Sequence, residues 1–323
     1  MIETATRPLL EVKDLCVDYL TDRDPVRAVD HVSLELAKGE FLGIVGESGC
    51  GKSTLLFAIA RLLSEPAEIR SGEVWFGGRD MVSMDEEELR HLRWRDYSVV
   101  MQSAMNALNP VMTIAEQLAD SVRAHQRAPG PQLKARSEEL MRVVGIDPEH
   151  LHSYPHQLSG GMRQRAMIAM ALALTPDLVI MDEPTSALDV VAQRSLMLKI
   201  KQLQREFGFA TIFVTHDMSL VSNFSDRLAV MYAGQVVEVG PTRQIFANPK
   251  HPYTVGLMRS FPSITGPLEP LAGIPGSPPD LSRPPAGCRF HPRCPHVMAR
   301  CKTEPPEFYA REGEQVRCFL FDD

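Results

Sequence analysis

The sequence predicts an α/β fold around a parallel sheet, followed by a proline-rich C-terminal extension. Strand-like and helical runs alternate between residues 9 and 240, and a glycine-rich turn follows the most continuous apolar run. Such alternation is typical of parallel sheets covered by helices. Fourteen of the 25 prolines lie after residue 244, and proline interrupts helices and strands alike. We therefore expect one domain at residues 1–244 and an extension at residues 245–323.

Periodicity and composition predict the individual elements. Short apolar runs predict strands at residues 9–17, 29–36, 41–45, 73–76, 178–181 and 210–215. Helical spacing predicts helices at residues 52–63, 85–95, 137–144, 162–173 and 190–207. Residues 227–239, with a central Ala-Gly pair, predict a hairpin near an edge of the sheet. The proline-rich path at residues 262–285 predicts an extended linker.

Composition narrows the class of protein. A chain of 323 residues that is 44% hydrophobic and 23% charged is long enough for one large domain with an appendage. The net charge of −7 disfavours a general nucleic-acid binder. The longest apolar run, residues 166–174, is about half of what a membrane-spanning helix needs. The N-terminal residues lack a secretory pattern, so we expect a reducing cytoplasm and no disulfides.

Residues 46–53 fit the pattern G-x-x-x-x-G-K-[ST], with a predicted strand before it and a predicted helix after it. Glycines let backbone amides turn towards a phosphate chain, Lys52 can reach the β and γ phosphates, and the Ser53 hydroxyl can bind Mg²⁺. The alternative, a glycine-rich turn with no ligand, is disfavoured by this context. The sequence therefore predicts an ATP site with these candidate residues: Gly46, Ser48, Gly49, Cys50, Gly51, Lys52, Ser53 and Thr54.

Two carboxylates follow the buried strand predicted at residues 178–181. Asp182 is the candidate Mg²⁺ ligand, and Glu183 is placed to polarise the water that attacks the γ-phosphate. Either carboxylate could instead cap the helix beyond Pro184. Because the phosphate motif is present in the same chain, the roles of Asp182 as metal ligand and Glu183 as general base are favoured.

Residues 158–164 read LSGGMRQ, which resembles the LSGGQ signature of ABC-type ATPases. Met162 stands where that family usually has Gln. The resemblance implies that Ser159, Gly160 and Gly161 face phosphate, and the helical run after them would supply an anion site at its N-terminus. The alternative is an ordinary helix cap.

Further positions between residues 9 and 240 resemble motifs of the same family in the expected order. Gln102 resembles the Q-loop glutamine, which would contact Mg²⁺ and assist catalysis. Asp189 resembles the D-loop aspartate, and His216 resembles the catalytic switch histidine. Tyr19 is similar to the aromatic residue that stacks on adenine, although a tyrosine there is often only a surface strand residue.

The resemblance implies a P-loop ABC-type nucleotide-binding domain with a helical subdomain inserted at about residues 103–159. It also implies that two ATPase subunits meet head to tail, the phosphate loop of one facing Ser159 of the other. Since each motif occurs once, a second ATPase subunit, expected to be a paralogue, is required. The implied partners are two transmembrane permease subunits and, indirectly, an extracytoplasmic solute-binding protein, with no nucleic acid. The chain would sit peripherally on the cytoplasmic face of the membrane.

Four cysteines lie in the last 36 residues: Cys288, Cys294, Cys301 and Cys318. Four thiolates suffice for a [4Fe–4S] cluster, and the closely paired cysteines usual for structural zinc are missing. Ligand chemistry alone allows iron–sulfur or zinc, and unmetallated thiols remain an alternative. Residues 287–295 resemble the C-terminal extension of oligopeptide and dipeptide importer ATPases, which implies a [4Fe–4S] cluster. Cys50 has a separate expectation, that its thiol makes the ATPase sensitive to alkylation.

These observations predict an ATP-hydrolysing subunit that powers a membrane importer for peptides or related small solutes. Oligosaccharides or nickel are alternative cargoes. A soluble ABC ATPase acting on nucleic acid or ribosomes would need tandem domains or a coiled-coil insertion, which 323 residues do not contain. A sensor that uses nucleotide only as a switch could dispense with Glu183, which this chain keeps.

Overall fold

The computed structural model describes residues 7–101, 107–185, 188–260 and 273–322. The chain divides into two compact units. The first unit holds the residues up to Leu36, Leu42–Val82 and the residues from Val214 onward, and the second holds Ala37–Phe41 and Ser83–Phe213. The first unit is therefore built from segments that are distant in sequence.

The strands are β1 (Leu10–Tyr19), β2 (Val26–Leu36), β3 (Phe41–Val45), β4 (Ala67–Phe76), β5 (Arg79–Asp80), β6 (Tyr97–Val100), β7 (Leu178–Asp182), β8 (Ala210–Val214), β9 (Arg227–Tyr232), β10 (Gln235–Pro241), β11 (Tyr309–Arg311) and β12 (Glu314–Val316). The α-helices are α1 (Lys52–Ile59), α2 (Glu86–Leu92), α3 (Ile114–Arg123), α4 (Gly130–Val143), α5 (Gly160–Ala171), α6 (Val190–Phe207), α7 (Met218–Phe224), α8 (Thr242–Ala247) and α9 (Pro252–Arg259). The α/β class predicted from the sequence is confirmed.

The first unit contains two sets of paired strands. One is an antiparallel sheet in the order β2-β1-β4-β5, in which Val12 lies opposite Leu34 on one side and Val74 on the other. The other has the order β11-β12-β10-β9-β3. Strands β3 and β9 are parallel, and every residue of β3 is buried. Such a continuous apolar strand is typical of the centre of a parallel sheet.

The β9–β10 hairpin lies near one edge of the sheet, as the sequence predicted, but two further strands lie outside it. Strand β12 pairs with β10 in antiparallel fashion, with Glu238 opposite Val316, and β11 continues the sheet beyond β12. The C-terminal extension thereby covers the backbone groups that an edge strand would expose. Sequence reasoning missed these two strands because each is only three residues long.

A buried ion pair inside the extension lies beside its contact with this hairpin. The Lys250 ammonium lies 2.5 Å from Glu314 Oε2 and 3.3 Å from Glu312 Oε2, and the Glu314 side chain is fully buried. The backbone amides of Lys250 and His251 donate to the carboxylate of Glu238 on β10, at 2.7 and 3.0 Å. Removing one partner of a buried ion pair typically costs about 3–5 kcal/mol, so the pair stabilises the extension itself. The two amide bonds to Glu238 attach it to β10.

The second unit has the strand order β8-β7-β6, in which β6 and β7 are parallel and every residue of β7 and β8 is buried. Helices α3, α4 and α5 contact one another. Thr113 caps α3 in a capping box with Glu116, so a local signal sets where this helix begins.

The predicted elements occur, and α6 and β3 match their predicted bounds fully, whereas β4 begins about six residues and α4 about seven residues before its predicted start. Helix α1 ends at Ile59, four residues earlier than predicted, and Arg61 just beyond it has a left-handed backbone. The sequence did not predict β6, α3, α7, α8 and α9, several of which are too short to show a period. Over the described residues, no helix is long and apolar enough to cross a membrane.

Candidate functional site

The phosphate motif forms a loop between β3 and α1. Gly51 stands at the N-cap of α1 with a φ of 103°, and a Cβ at this position would overlap the carbonyl oxygen of Ala28. A side chain here would therefore be both strained and obstructed. Because glycine has no capping side chain, the first amides of α1 receive no side-chain acceptor from Gly51. This arrangement suits an anionic ligand at the start of α1.

The Lys52 side chain contacts the backbone of the same loop. Its ammonium donates to the carbonyl oxygens of Gly46 at 2.8 Å and Glu47 at 2.9 Å, and lies 3.7 Å from Cys50 Sγ. The ammonium is thus held over the loop that the sequence assigned to phosphate. Ser48 and Gly49 are exposed beside it, and Ser53 is half-buried.

Tyr19 lies at the end of β1, and its hydroxyl is 3.2 Å from Thr54 Oγ1 on α1. The ring is half-buried. The first unit therefore brings the candidate adenine-stacking residue next to the phosphate loop, although the two are 35 residues apart in sequence.

Cys50 does not have the environment expected of an alkylation-sensitive thiol. Its side chain is 5% exposed. Burial raises the pKa of the thiol, although the Lys52 ammonium offsets part of that effect. Since the thiolate is the reactive species, burial and the raised pKa argue against the expectation that Cys50 is reactive.

The two candidate carboxylates lie at the end of β7 in the second unit. Asp182 is the last residue of the strand and is 3% exposed. Glu183 follows with a φ of 47°, in the left-handed region that residues other than glycine rarely adopt. Neither carboxylate caps the next helix, because the N-cap of α6 is Asp189, whose side chain accepts from the amide of Ala192 at 2.8 Å.

The predicted signature residues of the second unit lie at the start of helix α5. Ser159 is the N-cap of α5, and its hydroxyl accepts from the amide of Met162 at 3.3 Å. Gly160 and Gly161 form the first turn of this helix. A Cβ on Gly161 would lie 2.6 Å from Leu188 Cδ2, so glycine allows the signature helix to approach the segment that leads to Asp189.

His216 lies exposed in the first unit, between β8 and α7. The adjacent Asp217 caps α7 by accepting from the amides of Ser219 at 2.9 Å and Leu220 at 3.3 Å. Gln102 lies outside the described residues.

The four C-terminal cysteines line one cavity, together with Phe290 and Phe319 among others. No disulfide joins them. Burial and the neighbouring thiols raise the pKa of Cys288 and Cys318 to about 11. The backbone amide of His296 donates to Cys294 Sγ at 3.4 Å. Thiolates are ligands of both iron–sulfur clusters and zinc, but no three of these sulfur atoms fall within 4.8 Å of one another in the part of the chain that the structure describes.

A second group of possible metal ligands lies in the first unit. Donor atoms of Cys16, Asp30 and His31 fall within 4.8 Å of one another. However, Asp30 is paired with the Arg289 guanidinium at 2.9 Å and accepts from Gln235 Nε2 at 2.7 Å. Its carboxylate is therefore already neutralised, and we assign no metal to this group.

Sequence reasoning missed two residues that hold the phosphate loop. The Arg293 guanidinium forms two hydrogen bonds with the carboxylate of Glu47, at 2.7 and 3.0 Å. The hydroxyl of Tyr253 accepts from the backbone amide of Glu47 at 2.9 Å. These partners lie more than 200 residues from Glu47, so no local pattern reveals them.

A glycine-rich loop between a buried parallel strand and a helix defines a P-loop nucleotide-binding protein. Comparisons with known proteins specify the family. Residues 29–186 match the ABC transporter family, and residues 237–301 match the C-terminal region of oligopeptide/dipeptide transporters. The dipeptide transport ATP-binding protein DppD of Caldanaerobacter subterraneus subsp. tengcongensis is 43% identical over 318 residues, which is 98% of each chain. The oligopeptide transport ATP-binding protein OppD of Escherichia coli is 42% identical over 330 residues, covering 99% of this chain and 97% of that protein.

Solved structures agree with these relatives. A dimeric ATP-binding cassette bound to ADP and phosphate is 30% identical with a TM-score of 0.67, covering 72% of this chain and 99% of that one. A Clostridium perfringens subunit of the ABC transporter complex cbiONQ is 27% identical with a TM-score of 0.64, covering 75% of this chain and 92% of that one. The chain belongs to the ABC transporter family, as an ATP-binding subunit of the oligopeptide/dipeptide transporter type. It is an ATPase coupled to membrane transport.

The burial of Cys50 predicts slow labelling of its thiol in the folded protein. With N-ethylmaleimide at neutral pH, we expect Cys50 in the folded protein to react at least about tenfold more slowly than after unfolding, because the thiol is buried and protonated. Mass spectrometry of the peptide that contains Cys50 measures this rate separately from the other cysteines. Equal rates before and after unfolding would contradict the assignment of a buried, unreactive thiol.

Proposed function

We propose that this chain binds and hydrolyses ATP to drive the import of peptides or related small solutes. The observation that carries the proposal is the phosphate loop between β3 and α1, in a chain whose C-terminal region matches oligopeptide/dipeptide transporters. The names of the relatives supply the cargo class, dipeptides and oligopeptides. In this proposal residues 1–244 are the ATPase domain and residues 245–323 an extension that carries the cysteines.

In this proposal the site residues have separate roles in hydrolysis. The amides of the loop and of α1 bind the phosphates, and Lys52 exchanges its bonds to the loop carbonyls for bonds to phosphate oxygens. Mg²⁺, held by Ser53, Asp182 and Gln102, would neutralise phosphate charge. Glu183 orients and deprotonates the attacking water, and its left-handed backbone at the end of β7 is a strained conformation of the kind found at functional sites.

The remaining site residues act on the nucleotide from other directions. Tyr19 stacks on adenine, and His216 helps position the water and the γ-phosphate. Ser159, Gly160 and Gly161 bind the γ-phosphate of the neighbouring subunit through the start of α5. Because the Ser159 hydroxyl already accepts from Met162, its role as helix cap presents the free amides of α5 to the phosphate. Asp189 belongs to the same interface between subunits.

The proposed assembly contains two ATP-binding subunits, this chain and a paralogue, and two permease subunits that span the membrane. The helical insertion at about residues 103–159 docks on the permeases at the cytoplasmic face. A solute-binding protein outside the membrane delivers the cargo. The second solved structure's place in a transporter complex supports an assembly of this kind.

For the extension we propose a [4Fe–4S] cluster bound by Cys288, Cys294, Cys301 and Cys318, with zinc as the alternative. The support is that all four cysteines line one cavity. When bound, the cluster cross-links four points of a segment that has few regular elements of its own. Burial raises the pKa of Cys288 and Cys318, so binding of the cluster must displace protons, and its affinity falls as the pH is lowered.

Purification in mild detergent tests the proposed assembly. We expect two membrane permeases and a second ATP-binding subunit to copurify with this chain, and mass spectrometry identifies them. Copurification with ribosomes or nucleic acid instead would support the soluble ATPase and contradict the importer.

The role of Glu183 is tested by the Glu183→Gln variant. We expect ATP turnover in the purified complex to fall at least about 100-fold while ATP remains bound, because the amide cannot accept the proton of the attacking water. Phosphate release and retained ATP are measured on the same sample. Asp189→Asn, which keeps a capping side chain for α6, is a comparison variant that leaves this base intact. Turnover of Glu183→Gln at the wild-type rate would show that another residue is the base.

Metal analysis tests the cluster. Anaerobically purified protein is expected to contain about four irons per chain and to absorb near 400 nm, because four cysteines complete the ligand set of a [4Fe–4S] cluster. Cys288→Ser should lower the iron content, whereas Cys16→Ser, outside the cavity, should not. Zinc at about one per chain would replace the iron–sulfur assignment, and the absence of both metals would refute the site.

A further inference from the structure

The segment between the first two cluster cysteines packs against the phosphate loop. Three of its residues, Arg289, Phe290 and Arg293, reach the loop or the elements that support it. Each contact lies within the first unit of the fold. We call residues 288–294 the brace.

The strongest contact of the brace is between Arg293 and Glu47. Two parallel hydrogen bonds join the guanidinium to the carboxylate, and the side chains are only 6% and 25% exposed. Bidentate pairs of this kind are among the strongest hydrogen bonds in proteins, and limited exposure reduces screening by salt. The same guanidinium donates to the carbonyl oxygen of Pro275 at 2.7 Å, so it is fixed on the extension side as well.

A second contact runs through aromatic rings. Phe290 packs edge-on against Tyr232 of β9 and Tyr253 of α9, with ring centroids 5.2 and 5.5 Å apart. Tyr253 is fully buried, and its hydroxyl accepts from the Glu47 amide. The brace therefore holds the Glu47 side chain directly and supports its backbone through Tyr253.

A third contact supports the loop from the β9–β10 turn. Arg289 is buried and donates to the carbonyl oxygen of Ala233. The amide of the next residue, Gly234, donates to the carbonyl oxygen of Cys50 at 2.9 Å. This turn joins the brace to the far end of the phosphate loop.

The negative charge of Glu47 would oppose phosphate binding unless it is neutralised. A carboxylate in a loop that binds a polyanion repels the ligand, and the repulsion is larger where burial lowers the effective dielectric constant. Arg293 neutralises this carboxylate and holds it in place. The repulsion between Glu47 and bound phosphate is therefore offset only while the brace is in position.

We propose that Arg293 is a positioning residue for ATP, which neutralises Glu47 and thereby couples the occupancy of the four-cysteine site to the affinity of the phosphate loop for nucleotide. The coupling to the cluster rests on the proposed function, whereas the pairing of Arg293 with Glu47 does not require the metal. Because coupling between two sites is reciprocal, bound nucleotide also stabilises the extension.

The test compares Arg293→Met, Glu47→Gln and the double variant in the full chain, with a fluorescent N-methylanthraniloyl ATP and Mg²⁺ as the probe. We expect Arg293→Met to weaken binding about tenfold, because the phosphate loop then carries a carboxylate without its guanidinium partner. The double variant should bind within about threefold of the wild type, because removing the Glu47 charge relieves the repulsion. Arg293→Lys, which keeps the charge, should lose less affinity than Arg293→Met.

Arg300→Met is the matched control. Arg300 also directly precedes a cluster cysteine, but it pairs with Asp322 and lies 3.8 Å above the Phe319 ring, away from the loop. Its loss should leave nucleotide affinity unchanged. A purely structural role for Arg293 predicts a different pattern, in which the double variant binds no better than Arg293→Met, and that result would overturn the proposal. Wild-type affinity in Arg293→Met would overturn it as well.

Removing the metal tests the coupling without any substitution in the brace. Iron or zinc is extracted with a chelator, and probe affinity and metal content are measured on the same samples. Weaker binding in the wild type, with little change in Glu47→Gln, supports the coupling even if Arg293→Met fails to fold. Equal losses in both proteins would overturn it. Protein that never contains metal would refute the cluster alone, and protein that never binds ATP would refute the proposed function.

Discussion

A negative charge inside a loop that must receive a polyanion is the constraint around which the first unit is organised. Glu47 lies directly after Gly46 in the phosphate loop, and its carboxylate is paired with Arg293 from the far end of the chain. The pairing requires that the extension be folded and docked. The extension in turn has only two three-residue strands and short 3₁₀ turns after residue 273, too few to form a core unaided. Its four cysteines and its pairing with β10 therefore matter for the nucleotide site as well.

The extension is docked by backbone hydrogen bonds, charged contacts and aromatic packing. Strand β12 adds backbone hydrogen bonds to β10, the Lys250–Glu314 pair is buried beside them, and Phe290 joins an aromatic cluster with Tyr232 and Tyr253. His251 in the same cluster stays neutral, because full burial lowers its pKa to about 3. Apolar and charged contacts thus hold the extension over the same supporting elements, and the brace transmits that position to the phosphate loop.

In the second unit, a structural role and a functional role coincide in the same residues. Ser159 caps α5, which is the alternative that the sequence left open for it, and Asp189 caps α6, which the sequence analysis did not predict. A capped helix N-terminus directs its remaining amides outward, and these amides are what an anion binds. The cap and the proposed phosphate contact are therefore compatible. For Asp182 and Glu183 the outcome differs, since Asp189 serves as the cap and leaves both carboxylates at the end of β7.

The sequence by itself determined the local parts of this protein: the P-loop between β3 and α1, strand β7 with its two carboxylates, and helix α6 with the bounds that were predicted. These features depend on periodicity and on backbone conformations within a few consecutive residues, so they can be predicted without knowledge of the tertiary structure. Only the tertiary structure decided that Cys50 is buried, that β12 covers β10, and that Arg293 meets Glu47 across 246 positions. Contacts between distant segments depend on sheet register and side-chain packing, which no local pattern of residues encodes.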